Sequence, residues 1–179
     1  MLPTVGEILE TLFDFGDPSL AAAWEAVGDP VMGGRSTGRL LAIGAGWVAF
    51  TGTVRLDDGG GFASVRSAPG AFDLTGREGV LVEVRGDGRV YKLSLRTDPW
   101  FDAVAWQVRF PTRAGEREVH RFPFPSFRAT WRGRPVPGAP LLEPGRVASF
   151  GLVVGDQQAG DFRLELAAIR AYGGSRRAR

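Results

Sequence analysis

Three consecutive stretches of this chain alternate apolar and polar residues with a period of two. Val80, Val82 and Val84 oppose Leu81, Glu83 and Arg85; Tyr91, Leu93 and Leu95 oppose Lys92, Ser94 and Arg96; Val104, Trp106, Val108 and Phe110 oppose Ala105, Gln107 and Arg109. Residues two apart share a face only in extended backbone, so each stretch is a strand with one buried and one more polar side. Gly86-Asp87-Gly88 turns the chain between the first two. No long helical period intervenes, which argues against βαβ crossovers and for antiparallel pairing.

The same pattern continues outward. Leu40 to Ile43 and Trp47 to Val54 read as a hairpin closed by Gly44-Ala45-Gly46, and Phe62 to Arg66 as a short strand. Val119 to Phe124 is a strand stopped by Pro123 and Pro125, and Phe150, Leu152 and Val154 alternate again. Phe162, Leu164 and Leu166 keep phase until Ile169, which places a bulge near Ala167-Ala168. With Phe13-Asp14-Phe15 this makes about nine or ten strands, for which a two-sheet antiparallel sandwich is the natural solution and a barrel the second. Residues 126 to 146, rich in Arg, Pro and Gly, read as a long connection.

Two segments break the pattern. Thr4-Val5-Gly6-Glu7 has capping-box spacing, and Ile8, Leu9 and Leu12 then share a helical face, so a short N-terminal helix is expected. Asp17-Pro18-Ser19 is a turn and possible cap for Leu20 to Trp24, with Trp24 anchoring the following loop in the core. The chain of 179 residues is therefore divided into a helical arm (1–12), one all-β domain (13–172) and a basic tail (173–179).

Composition narrows the function. There are no cysteines, so disulfides and thiolate metal sites are excluded, in keeping with a reducing, cytoplasmic compartment. The formal charge is only +2 and every basic residue but Lys92 is arginine. Arg121, Arg128, Arg132 and Arg134 with Phe127 and Trp131 make only a faint basic, aromatic stripe, so nucleic acid is not the expected partner. No apolar run approaches the roughly 20 residues of a membrane span, and Glu7 and Glu10 interrupt any signal-like N-terminus.

Candidate chemistry is sparse. Gly34-Arg35-Ser36-Thr37-Gly38 fits the nucleophile-elbow pattern, but that elbow joins a strand to a helix, and here a strand follows. His120 is the sole imidazole and falls out of phase with Val119, facing away from that side chain's packing layer. The expectation is no catalysis, with Ser36 and Thr37 bonding local backbone. Asp57, Asp58 and Asp156, spread over two loops, are a poor calcium set, and neither a dinucleotide fingerprint nor a P-loop occurs, so no metal or cofactor is expected. Asp98-Pro99-Trp100-Phe101-Asp102 puts aromatics in an inter-strand loop, where they either cap the sandwich or form a hot-spot surface for a protein or a sugar.

Several stretches, in order, resemble one family. Trp24 precedes Asp29-Pro30-Val31-Met32-Gly33-Gly34-Arg35-Ser36; then come Phe50-Thr51-Gly52 and Asp58-Gly59-Gly60-Gly61-Phe62-Ala63-Ser64-Val65-Arg66. Gly86-Asp87-Gly88-Arg89-Val90-Tyr91, Pro123-Phe124-Pro125-Ser126-Phe127, Arg132-Gly133-Arg134, Asp156-Gln157-Gln158 and Gly160-Asp161-Phe162 complete it. The pattern is similar to that of the complex I intermediate-associated protein 30 (CIA30) family over roughly residues 13 to 172. Asp58-Gly59 stands where the family has paired Asn, and Gly28 where Asn is common. The resemblance implies a galactose-binding-domain-like jelly-roll sandwich and a non-catalytic, assembly-factor role on a protein partner, with intermediates of respiratory complex I the implied client. A carbohydrate-binding module is the alternative, and the arginine-rich composition points to a bacterial chain. The residues expected to contact a partner are Asp29, Met32, Arg66, Asp87, Arg96, Trp100 and Asp156, unless their polar members only pin the loops to the sheet.

Overall fold

The computed structural model describes residues 7–28, 35–100 and 102–175. Among them are thirteen strands: β1 (Glu7–Asp14), β2 (Trp24–Gly28), β3 (Thr37–Gly44), β4 (Trp47–Val54), β5 (Ala63–Ser67), β6 (Gly79–Arg85), β7 (Val90–Arg96), β8 (Ala105–Pro111), β9 (Arg117–Pro123), β10 (Arg128–Trp131), β11 (Arg134–Pro135), β12 (Ser149–Val154) and β13 (Gly160–Ser175). One α-helix, α1 (Pro18–Ala22), interrupts them. A six-stranded sheet runs β3-β4-β13-β6-β9, with β1 also paired to β13. A seven-stranded sheet runs β11-β10-β8-β7-β12-β5-β2. All these strand pairs are antiparallel.

The alternation of the sequence becomes the sandwich core. Val80, Val82 and Val84 from the first sheet meet Tyr91, Leu93, Leu95 and Phe150 from the second, all essentially without solvent contact. Phe50 and Phe162 cross edge to face with centroids 4.8 Å apart, and Tyr91 and Phe110 complete that aromatic cluster. Each such side chain contributes roughly 2 kcal/mol through burial. The expected bulge in β13 appears as a register shift between Leu166 and Ala168 opposite β6.

Some local expectations are corrected. Glu7 to Leu12, expected as part of a short N-terminal helix, form most of strand β1. Pairing with β13 overrides local helix propensity, which is weak in so short a segment. The helix instead lies at α1, where Asp17 is the N-cap and accepts from the backbone N–H of Ser19 at 2.9 Å. Trp24 opens β2 and is buried. The stretch expected as a long connection holds β10 and β11, which extend the second sheet's edge. Val119, rather than being packed, is exposed, and His120 is the residue that points inward, stacked near Phe110 and Phe122.

Candidate functional site

The outer face of the seven-stranded sheet is set by the residues that alternate with the core. On β7 these are Lys92, Ser94 and Arg96, on β8 Gln107 and Arg109, on β5 Ser64 and Arg66, and on β12 Ser149, Gly151 and Val153. Gly151 is the centre: it lies opposite Arg66 on β5 and opposite Ser94 on β7. Having no side chain, it leaves a depression of about 30 Å³ whose rim includes Arg66, Ser94, Arg96, Gln107 and Ser149. A Cβ at Gly151 would sit 3.1 Å from the Val65 carbonyl oxygen and 3.5 Å from the Ser94 Cβ, partly filling that floor.

The depression is cationic and poorly solvated. Burial lowers the pKa of Arg66. Burial and then the neighbouring charge of Arg66 pull the Arg96 guanidinium down to about 10, still well above neutrality. Arg96 donates through Nη1 to the carbonyl of Ala103, which ties the loop after β7 back to the sheet. Gln107 Nε2 reaches Ser94 Oγ at 3.5 Å. Arg66 has interactions of its own as well.

The expected site residues do not form one cluster. Arg66 and Arg96 share the depression. Trp100, in the loop beyond Arg96, is 71% exposed, and its backbone N–H donates to Asp98 Oδ1 at 2.8 Å. Asp156 lies at the other end of β7, about 20 Å away at strand rise. There its oxygens accept from Lys92 Nζ at 3.0 Å and Arg109 Nε at 3.1 Å. Burial would raise the Asp156 carboxyl, but hydrogen bonds and charge from Lys92 and Arg109 hold it below its ordinary value. Asp87 is internal bracing at that end: Oδ2 accepts from Tyr91 Oη at 2.9 Å and Arg163 N at 2.8 Å, and Oδ1 from Arg89 N at 3.0 Å. Burial, then the charge and hydrogen bond of Asp87, push the Tyr91 phenol pKa upward. Asp29 and Met32 lie outside the described residues.

Ser64, Ser94, Gln107, Ser149 and Gly151 are not among the contact residues that sequence reasoning named. Their signal was position: small or polar residues on the non-core phase of strands. Which of them meet depends on strand register, which local alternation does not supply.

The other candidate chemistry is dispersed. Ser36 is buried; its Oγ donates to the Arg55 carbonyl at 3.1 Å and accepts from Arg55 N at 2.9 Å. The partner backbone is on the far side of the hairpin rather than in the local turn. Ser36 leads into β3 and His120 sits on β9, the two edges of one sheet. Those edges are four strand spacings apart, roughly 19 Å, so the two side chains form no dyad. No group of three or more His, Cys, Asp or Glu capable of holding a metal occurs among the described residues. Of the faint arginine stripe, Arg121 pairs with Glu7 at 2.6 Å, Arg132 with Asp102 at 2.8 Å, and Arg128 donates to the Pro125 carbonyl at 2.6 Å. Among the described residues no helix is long and apolar enough to cross a membrane.

Comparison with solved structures finds similar β-sandwiches. A family 11 carbohydrate-binding module from Clostridium thermocellum, solved with a β-1,3-1,4-mixed-linked tetrasaccharide, superposes with a TM-score of 0.67 at 14% identity, covering 93% of this chain and 96% of that one. Part of an agarase superposes with a TM-score of 0.63 at 11% identity, covering 93% of this chain and 24% of that one. By sequence, the mitochondrial complex I intermediate-associated protein 30 of Drosophila melanogaster is 29% identical over 88% of this chain, which spans 60% of the fly protein's length. An uncharacterized protein of Schizosaccharomyces pombe is 28% identical over 83% of this chain and 77% of its own. The sequence profile of the complex I intermediate-associated protein 30 family matches residues 13–166, and the chain belongs to that family.

Proposed function

We propose that this chain is a non-catalytic binding module of the assembly-factor kind, holding a protein partner on the outer face of its seven-stranded sheet. The carrying observation is the placement of two half-buried guanidinium groups, Arg66 and Arg96, around a depression floored by Gly151. Desolvated arginines are costly to keep and are typical interface anchors. Trp100, exposed at the same end, adds an aromatic anchor. Family membership supports complex I intermediates as the client, and the arginine-rich composition supports a bacterial cytoplasm as the compartment.

Affinity capture from native cells tests this reading. Wild type should retain a specific partner that Arg66→Ala or Trp100→Ala, shown to be folded, loses. Identical captures from all three would overturn the site, and a source genome without complex I genes would remove the client.

A second reading, carbohydrate binding, is favoured by the fold likeness to the tetrasaccharide-bound module. The dimensions of the depression count against it: about 30 Å³ is far less than a pyranose ring needs. The sheet-face residues around it also present no aromatic platform among the described residues. A glycan array with saturable hits abolished by Trp100→Ala would reverse that preference.

A further inference from the structure

We propose that the depression beside Arg96 seats a carboxylate side chain from an acidic segment of a partner protein; this rests on the protein-binding reading above. Three observations carry it.

The first is the state of Arg96. Among the described residues its one hydrogen bond runs to the Ala103 carbonyl, and no carboxylate lies within ion-pair distance of it. Asp102, the nearby acid, is turned to Arg132, which it binds through both oxygens at 3.0 and 2.8 Å. A planar guanidinium with an open edge in a partly dry site is complementary to a carboxylate, which it grips through two parallel N–H bonds.

The second is size. About 30 Å³ admits one small group, and Ser94, Ser149 and Gln107 line it with hydroxyl and amide donors for oxygens that Arg96 does not reach. The third is where charge remains. Asp156 pairs with both Lys92 and Arg109 at the far end of the face. At the depression the charge of Arg66 adds to that of Arg96, and a space of about 30 Å³ matches one carboxylate better than a larger, doubly charged phosphate. Trp100, four residues on, offers a surface for the adjoining residues of the bound segment.

The test is a titration of the full chain followed by side-chain Nε–Hε NMR of its arginines. The probes are capped tetraglutamate, capped tetraglutamine and inorganic phosphate at matched ionic strength. Tetraglutamate should shift Arg96 saturably while tetraglutamine does not. Arg96→Gln should weaken tetraglutamate binding at least about tenfold, Arg96→Lys by an intermediate factor because the fork is lost, and Arg146→Gln, an exposed control, by less than about twofold. Should Arg96→Gln not fold, Arg96→Lys carries the comparison. Absence of a saturable shift at Arg96, unchanged affinity in the folded Arg96 variants, or tighter binding of phosphate than of tetraglutamate would each overturn the proposal. A captured partner lost in Arg66→Ala but not displaced by tetraglutamate would sink the carboxylate while leaving the protein-binding reading intact. Tetraglutamate binding at Arg96 with no native partner captured would sink that reading instead.

Discussion

Arginine is used differently on the outer face of the six-stranded sheet and around the depression of the seven-stranded one. On the six-stranded sheet, Arg85 and Arg163 both bond Glu165, Arg170 pairs with Glu83, and Arg121 joins Glu7 while lying 3.9 Å above the Tyr172 ring. Arg85 and Arg117 also lie over the ring of Trp47. These cations are matched by acids or rings of their own sheet, so that face is finished when the chain folds. On the seven-stranded sheet, Arg66 and Arg96 crowd around a glycine-floored depression, and the charge of Arg66 lowers the Arg96 pKa beyond what burial does. The same side chain is bracing on one face and exposed chemistry on the other. What sets Arg96 apart is that no carboxylate of the described residues lies within ion-pair distance of it.

The largest expected effect is on the finished face. Burial would raise the Glu165 carboxyl, yet hydrogen bonds from Arg85 and Arg163, with their charges, hold it below its ordinary value. Glu165→Gln should therefore cost about 2 kcal/mol in urea unfolding at pH 7. A carboxyl depressed in the folded state contributes stability that is complete above the unfolded value, about pH 4.3, and is lost as pH falls through the folded one. The variant should accordingly show a shallower acid limb than wild type below that pH. Equal stability of the two proteins at pH 7 would break the contrast between the faces.

Next comes the opposite-sign test. Arg96→Met removes a desolvated charge and its repulsion with Arg66, so it should leave stability unchanged or raise it by up to about 1 kcal/mol, whereas Arg85→Met should lower it by about 1 kcal/mol. Thermal unfolding of the pair reads this directly, and similar losses in both would dissolve the distinction.

His120 sharpens the same point in the core. Its Nε2 is buried without a hydrogen-bond partner among the described residues, and burial lowers its pKa. It meets burial by giving up its proton, which an arginine does not do. A histidine depressed in the folded state loses stability as pH falls from its unfolded value near 6.5 toward the lower folded one. His120→Leu should flatten the stability profile below about pH 6.5, measured by urea midpoints. The smallest effect is predicted at Asp156→Asn. The partly exposed pairs with Lys92 and Arg109 should contribute no more than about 0.5 kcal/mol, and less in high salt. Asn tolerates the left-handed backbone there, at φ 56°, so the comparison is clean.

Legibility in the sequence followed one-sided burial. β6, β7, β8 and β12 could be read because one face of each is core and the neighbouring phase is smaller or more polar. β1 could not, since two register shifts, between Glu7 and Leu9 and between Thr11 and Phe13, break its period of two and leave Ile8, Leu9 and Leu12 at helical spacing. β2, β10 and β11 are short, outer strands at the two sides of their sheet, where composition follows turns more than core. Arg66 stood out in a motif and Arg96 on the polar phase of its strand, yet their meeting across β12 and the role of Gly151 depend on long-range register. Asp87 looked like a loop acid available to a partner. Only the structure shows its oxygens taken by Tyr91, Arg89 and Arg163.

The sixteen-residue β13 sets the order in which this molecule can be made. It is the thirteenth strand in chain order, yet it sits at the middle of its sheet, contacting β4, β6 and β1. While the chain emerges from the ribosome, β4 and β6 have no neighbour to join them, and β1 waits for residues more than 150 positions later. Half of the sandwich therefore closes only after synthesis has passed Ser175, leaving apolar strand surface uncovered until then. The strand that holds this sheet together is thus the last to join it.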